Sequence, residues 1–471
     1  MPTSPTRSRR AILAVIGGLL LAIGGLLLSP SAATAAPLVS PIAVGSEPVN
    51  VAFSPDGTYA YVTNYGDGTV SVIDVTTNSL DPTTPSITVG TGPEDVAVSP
   101  DGKYAYVTNY GDDTVSVIDV ATNSLDSTTP SITVGTGPGY VAFSPDGTYA
   151  YVTNYGDGTV SVIDVATNSL DSTTPVITVG TAPANLAFSP NGRYAYVANT
   201  GDGTVSVIDA ATNSIDATTP TITVGPNPRG VAFSPNGKYA YVDSFVDSYV
   251  NVIDVATNSL DPTTPTIAVG SDPEAVAFSP NGTYAYILAG SGGDTVEVID
   301  VATDSLDATA PTITVGELPR GVAFSPDGKY AYVVNQDDGN VSVISVTSIG
   351  SALPPTGKVR STYAFTVPAT NGVSFAVTSG SLPPGLTLDP TTGFIGGTPT
   401  AAGSSTFAVT VTGGDTGPVS RSYTITVTPL LATTGVAISP LLVGGGAGTI
   451  VLGGVLFLLA IRRRKLQSSG E

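Results

Sequence analysis

From Val51 onward the chain alternates apolar residues with small polar ones in runs of three to six, cut by Gly, Pro, Asp and Asn. A period of two is that of an extended strand, whose successive side chains point to opposite faces. The first group predicts four strands. Val51-Ala-Phe53 ends in the turn Ser54-Pro-Asp-Gly57, where Pro presets its φ and Gly is free to take a positive one. Tyr59-Ala-Tyr-Val-Thr63 and the turn Tyr65-Gly-Asp-Gly68 come next. Thr69-Val-Ser-Val-Ile-Asp74 then sets β-branched residues against small polar ones. Beyond the Pro- and Thr-rich Asp81-Pro-Thr-Thr-Pro85 lies a fourth strand, Ser86-Ile-Thr-Val-Gly90.

The group then repeats. Ser-Pro-(Asp/Asn)-Gly begins at Ser54, Ser99, Ser144, Ser189, Ser234, Ser279 and Ser325, spaced by 45 residues and at the last step by 46. The extra residue falls in Ala289-Gly-Ser-Gly-Gly293, and Phe53–Val75 is identical to Phe143–Val165. Four strands in a repeat of this length predict a β-propeller blade. Pro41-Ile-Ala-Val-Gly45 is a fourth-strand copy with no blade before it, and the last copy ends at Val341-Ser-Val-Ile-Ser-Val346 without one. The first segment should therefore complete the last blade, giving seven blades and a ring without free edges.

The motif Tyr61-Val-Thr-Asn64 recurs at Tyr106–Asn109 and Tyr151–Asn154, and drifts to Tyr196-Val-Ala-Asn199, Tyr241-Val-Asp-Ser244 and Tyr286-Ile-Leu-Ala289 before Tyr332-Val-Val-Asn335. It resembles the YVTN family of propellers from prokaryotic surface-layer and secreted proteins. That resemblance implies a fold more than an activity, because one architecture carries many functions. Further on, Tyr363–Val367, Val373–Val377, Ser405–Val411 and Tyr423–Val427 alternate as strands. With Ser381-Leu-Pro-Pro-Gly-Leu-Thr-Leu-Asp389 and Gly396-Gly-Thr-Pro399 they resemble the Ig-like domains of bacterial surface proteins, and imply a small β-sandwich serving as a stalk.

The two ends read as addresses. Arg7, Arg9 and Arg10 precede the uncharged Ala11–Leu28 and the small residues Ser31–Ala36, the order of a secretory signal cleaved after Ala35; an uncleaved anchor is the alternative. Leu431-Ala432-Thr433-Thr434-Gly435 precedes the uncharged Val436–Ile461 and the basic Arg462-Arg-Arg-Lys465. An apolar run of 26 residues ending in a basic cluster predicts a membrane stop with its tail in the cytoplasm. The same ordering resembles a cell-wall sorting signal of the LAxTG type associated with actinobacterial sortases. That resemblance implies a cut between Thr434 and Gly435 and attachment to peptidoglycan; retention as a single-pass membrane protein is the alternative. Leu353-Pro-Pro-Thr-Gly357 fits the common LPxTG pattern better, but lacks the apolar run and basic tail, and reads as a linker.

The expected organisation is thus a signal peptide at 1–36, an all-β seven-bladed propeller at 37–349, an Ig-like sandwich at 350–430, and a sorting segment at 431–471 with its membrane helix at 436–461.

Composition narrows the chemistry. The 471 residues include no His, Cys or Trp, which excludes His-based triads, thiol nucleophiles, disulfides and metal sites built on imidazole or thiolate. The formal charge of −21 is not evenly spread: residues 37–349 hold 34 acidic and 6 basic residues, a net −28, and both ends are basic. A domain so acidic has no phosphate-binding footprint, so nucleic acid is not an expected partner. Asp67, Asp112, Asp157 and Asp202 in Gly-Asp turns, and Asp74, Asp119, Asp164, Asp209, Asp254 and Asp300 at strand ends, read as turn residues bonding their own backbone. A weak calcium site is the alternative, but no Asp-x-Asp-x-Asp-Gly loop supports it, and no metal or cofactor is expected. Tyr59, Tyr61 and their repeats read as packing between blades.

Positions that differ between blades carry more information. The pairs before each first strand supply a ring with Glu94, Asp95, Tyr140, Asn185, Arg229, Glu274 and Arg320, a candidate binding rim around the channel. The fifth-blade turn Phe245-Val-Asp-Ser-Tyr249 is expected to add two exposed aromatics. Together these favour a surface-displayed module binding an extracellular protein or glycan, with a structural wall component as the alternative. A propeller hydrolase or lactonase would have to work with carboxylates such as Glu94, Asp95 and Glu274. The expectation is that the chain is not an enzyme.

Overall fold

The computed structural model describes residues 39–289, 293–308, 312–350 and 352–430. The expected signal segment 1–36, the expected sorting motif Leu431–Gly435, the apolar run 436–461 and the basic tail lie outside those residues, as does most of the lengthened turn after Ala289. Among the described residues no helix is long and apolar enough to cross a membrane.

Seven antiparallel sheets stand around an axis. In the first blade Pro48–Phe53 is innermost, followed outward by Tyr59–Asn64 and Thr69–Asp74. The expected fourth strand is split: Ser79–Leu80 pairs with one end of Thr69–Asp74 and Ser86–Thr88 with the other. The Pro- and Thr-rich stretch between them cannot donate a full ladder and bridges the two pieces instead. Innermost strands of successive blades touch, and the ring closes where Pro48–Phe53 meets Pro319–Phe324. The seventh blade is completed by Val39–Ala43, which pairs with Asn340–Ser345, so first and last segments share one sheet. Ile42 seals that joint against Val341 and Val343.

The core is a set of wedges between blades. Tyr61, Tyr106, Tyr151, Tyr196, Tyr241, Tyr286 and Tyr332 are fully buried. Each of six donates its hydroxyl hydrogen bond to the Asn or Asp of a turn in the following blade. The pairs are Tyr61–Asn123, Tyr106–Asn168, Tyr151–Asn213, Tyr196–Asn258, Tyr241–Asp304 and, across the ring joint, Tyr332–Asn78. Asn suits that turn twice over, because the backbone there is left-handed, with φ near 48° at Asn78, and its amide oxygen still faces the tyrosine. Tyr286 has no such partner, since the seventh blade leaves for the next domain where that turn would stand.

Ser348–Ile349 and Ala369–Thr370 lead into the sandwich. A sheet of Gly357–Lys358, Val419–Thr428, Gly403–Thr412 and Ser374–Gly380 packs on one of Tyr363–Thr366, Phe394–Gly397 and Leu386–Leu388. Phe407, Val409, Val411, Tyr423, Ile425 and Ile395 fill the space between. Propeller and sandwich belong to one compact unit ending at Pro429. The Ser345 and Thr347 amides donate to Asp415 Oδ2 (2.7 Å) and Thr416 Oγ1 (2.8 Å), and Asn371 Nδ2 donates to the carbonyls of Lys329 (2.7 Å) and Val346 (3.1 Å).

Candidate functional site

Each blade brings two features to one end of the ring: the start of its innermost strand and the turn between its second and third strands. The strand start is bulged, between Pro48 and Val51 in the first blade and at the matching place in the other six. A bulge adds a residue and re-aims side chains, here those of the variable pairs. The result is a basin of about 280 Å³ over the channel, with Val49, Glu94, Ala184, Arg229, Glu274 and Arg320 contributed by six blades at one structural position. Tyr140 from the third blade, and Tyr110, Tyr155 and Thr200 from the turns, complete its wall. The sandwich docks at the opposite end of the seventh blade, since its partners Lys329 and Ser345 lie at the Tyr330–Ser345 end of the paired strands, away from the Pro319–Asn335 pair on the basin side.

Glu274 is the hinge of the charge arrangement. Its carboxylate accepts from Arg229 Nη1 at 2.5 Å and from Arg320 Nη1 at 3.1 Å, with Glu274 more buried than either partner. The Arg229 guanidinium also lies 3.7 Å from the centre of the Phe245 ring, which leaves it a fixed plane. Across the basin Glu94 has no carboxylate-clamping arginine of this kind. Burial raises its pKa, and the Arg320 charge opposes that rise. Asp95 lies beneath, out of the basin wall: Oδ1 accepts from Asn50 Nδ2 (2.6 Å) and Oδ2 from the Val141 amide (2.8 Å). Burial pushes its pKa up to about 7 despite those bonds. The Tyr140 hydroxyl is likewise raised, by burial first and then by the nearby Glu94 and Asp95 charges. Two cations and two facing carboxylates over a polar floor can bind a polarised carbonyl and hold a proton acceptor beside it.

Of the seven rim residues expected from the sequence, Glu94, Tyr140, Arg229, Glu274 and Arg320 are brought together. Asp95 supports them from below, and Asn185 stands outside the basin wall. Phe245 and Tyr249 differ from expectation: both are half-buried, Phe245 under Arg229 and Tyr249 bonded to Asp247 (3.1 Å), and Val246 and Asp247 between them are the exposed residues. The Asp at strand ends bond their own turns, as Asp74 does to the Thr76 amide (2.8 Å). Those in Gly-Asp turns do not: Asp67, Asp112, Asp157 and Asp202 each accept from an amide 21 residues upstream, those of Ser46, Thr91, Thr136 and Thr181. They clamp the strand-entry loop to the turn and so fix the rim. Asp243 is the buried group that sequence reading missed. It accepts the Arg229 and Gly230 amides (3.0 and 2.9 Å), and burial pushes its pKa up to about 8. The available signal was a break in pattern, Asp where blades one to three have Thr63, Thr108 and Thr153. Among the described residues no three carboxylates are placed to cage a cation.

Two family models match. The one described as Lactonase, 7-bladed beta-propeller covers residues 28–272 and 216–369, and the one described as Putative Ig domain covers residues 343–428. No curated protein matches the chain. Among solved structures it is similar to Kuenenia stuttgartiensis hydrazine synthase, with a TM-score of 0.56 and 24% identity over 68% of this chain and 99% of that one. At that identity the likeness is one of fold. The lactonase match overturns the expectation that the chain is not an enzyme. That expectation leaned on the missing His and Cys, and these exclude triads and thiols but leave carboxylate and guanidinium chemistry, which the basin contains.

Proposed function

Because the chain belongs to the seven-bladed β-propeller lactonase family, we propose that the basin is a hydrolytic site for a small cyclic ester. The observation that carries this is the Arg229–Glu274–Arg320 clamp set across a shared basin from Glu94, whose pKa burial raises. In this scheme the guanidinium groups receive the ester carbonyl and stabilise the oxyanion that forms on it. Glu94 takes a proton from water as the water oxygen bonds to the carbonyl carbon. The ring C–O bond then breaks, and the proton returns from Glu94 to the departing alkoxide. Water supplies both the oxygen and the hydrogens of the product acid and alcohol, so nothing else is consumed.

The test is turnover of a neutral δ-lactone by the purified chain, followed by acid release. Glu94→Gln should lower kcat by about 10²-fold or more. The wild-type rate should rise with pH through a point above the ordinary Glu value, as Glu94 loses its proton. Turnover that is absent, or equal in Glu94→Gln, overturns the assignment.

The address readings complete the proposal: export by the 1–36 segment, a YVTN-type surface propeller, and anchoring through Leu431–Gly435 by a sortase to peptidoglycan. The basin lies on the face opposite the sandwich, which supports an outward-facing site on a short stalk. A mature C-terminus at Thr434 in wall-released material is the expected result, and one beyond Gly435 overturns the anchoring.

A further inference from the structure

Of the 21 tyrosines, three are more than a third exposed: Tyr65 (38%), Tyr110 (40%) and Tyr155 (46%). All three occupy the same place in the second-to-third-strand turns of blades one to three, on the rim of the basin. We propose that they form a stacking platform for a neutral saccharide chain that runs along the rim toward Glu94.

Four observations converge on this. The turns of the other four blades carry no tyrosine at this place, since the matching residues are Thr200, Phe245 (already covered by Arg229), Gly290 and Gln336. A second hollow of about 480 Å³ lies along the three rings, is lined also by Glu47 and Gln336, and shares Glu94 and Arg320 with the basin. Two of the rings are held in place: a Cβ on Gly92 would stand 3.0 Å from Tyr65, and one on Gly137 3.1 Å from Tyr110, so each of these two rests on the bare backbone of the next blade. A ring fixed before binding loses little freedom on contact. Finally, the charge decides between ligands. An exposed aromatic face offers apolar area, and Glu47, Gln336 and Glu94 offer partners for hydroxyl groups. The net −28 of residues 37–349 disfavours polyanions such as nucleic acid or polyuronate. A pyranose chain with apolar faces and hydroxyl edges fits both demands. The platform does not depend on ester hydrolysis at the basin.

The experiment is calorimetric titration of the full chain with cellohexaose, maltohexaose and chitohexaose, and with an oligogalacturonate of equal length. At least one neutral hexasaccharide should bind more tightly than the anionic one. Tyr110→Ala and Tyr155→Ala should each weaken it about 3- to 10-fold, and Tyr110→Phe should keep most of the affinity, because the face and not the hydroxyl does the stacking. Binding that depends on the tyrosines, with or without lactone turnover, supports the platform. Failure of all three neutral chains to bind, indifference to both alanine variants, or preference for the anionic chain overturns it.

Discussion

Asp95 and Asp243 are carboxylic acids enclosed by the ring, and their protons set a pH dependence of stability. Unfolded, both would ionise near pH 4. Folded, Asp95 keeps its proton to about 7 and Asp243 to about 8. Between about pH 4 and 8 the native chain therefore holds protons that the unfolded chain has released, and their contribution to stability falls as pH rises. Asp243→Thr installs the residue of blades one to three. It should raise Tm at pH 8 by roughly 5 °C, with little gain at pH 4, in a thermal melt at both values. Glu274 is a different case. Glu274→Ala leaves Arg229 and Arg320 without their shared partner, so the two cations should separate. The rate of lactone turnover should fall at least 10-fold while KM rises, measured by initial rates. Glu274 was legible from the sequence as a variable rim residue; its role between two arginines 45 and 46 residues away was not, because only the side-by-side packing of successive innermost strands sets the bulged strand starts of blades five and seven on either side of blade six.

At the scale of the strand and turn, the wedge tyrosine offers an internal comparison. Tyr151→Phe removes a hydroxyl that bonds Asn213 at 2.5 Å and strands the buried amide oxygen, a cost of about 1–3 kcal/mol. Tyr286→Phe removes a hydroxyl with no partner and should be neutral or slightly stabilising, both read from urea midpoints. The second strands show how repeats drift without losing the blade. In most copies the Asn ending this strand accepts an incoming amide, as Asn64 Oδ1 does from Gly45 at 3.0 Å, and donates to the third-strand Ser, as to Ser71 at 3.0 Å. Blade six has Ala289 and Glu297 at those two places, and the Glu297 carboxyl takes the Gly270 amide instead. The strands themselves were plain in the alternating pattern. The split outer strand and the bulge were not, because both depend on which neighbouring residues fail to pair.

For the whole molecule, closure rests on the five residues of Val39–Ala43. Ile42 is buried against the seventh blade, with Val39 facing Val343 in register. Ile42→Asp places an unpaired charge in that joint and should lower Tm by several degrees in a calorimetric scan. It should also speed hydrogen exchange in Asn340–Ser345 before that of the other third strands. The −28 charge of the propeller segment, held on one compact ring, repels itself, so added salt should raise Tm modestly, most of all at low ionic strength.

The repeat period, the count of seven blades and the strand that closes them follow from sequence alone, since alternation and turn chemistry are local properties and the period merely counts them. The set of variable rim positions was legible for the same reason. What those residues do was decided by the tertiary structure. Burial raises Glu94, Asp95 and Asp243, the bulge turns the pairs to the channel, and the ring joins Glu274 to arginines on both sides. Each of these depends on distance through space and exclusion of water, quantities that a residue's neighbours along the chain do not fix.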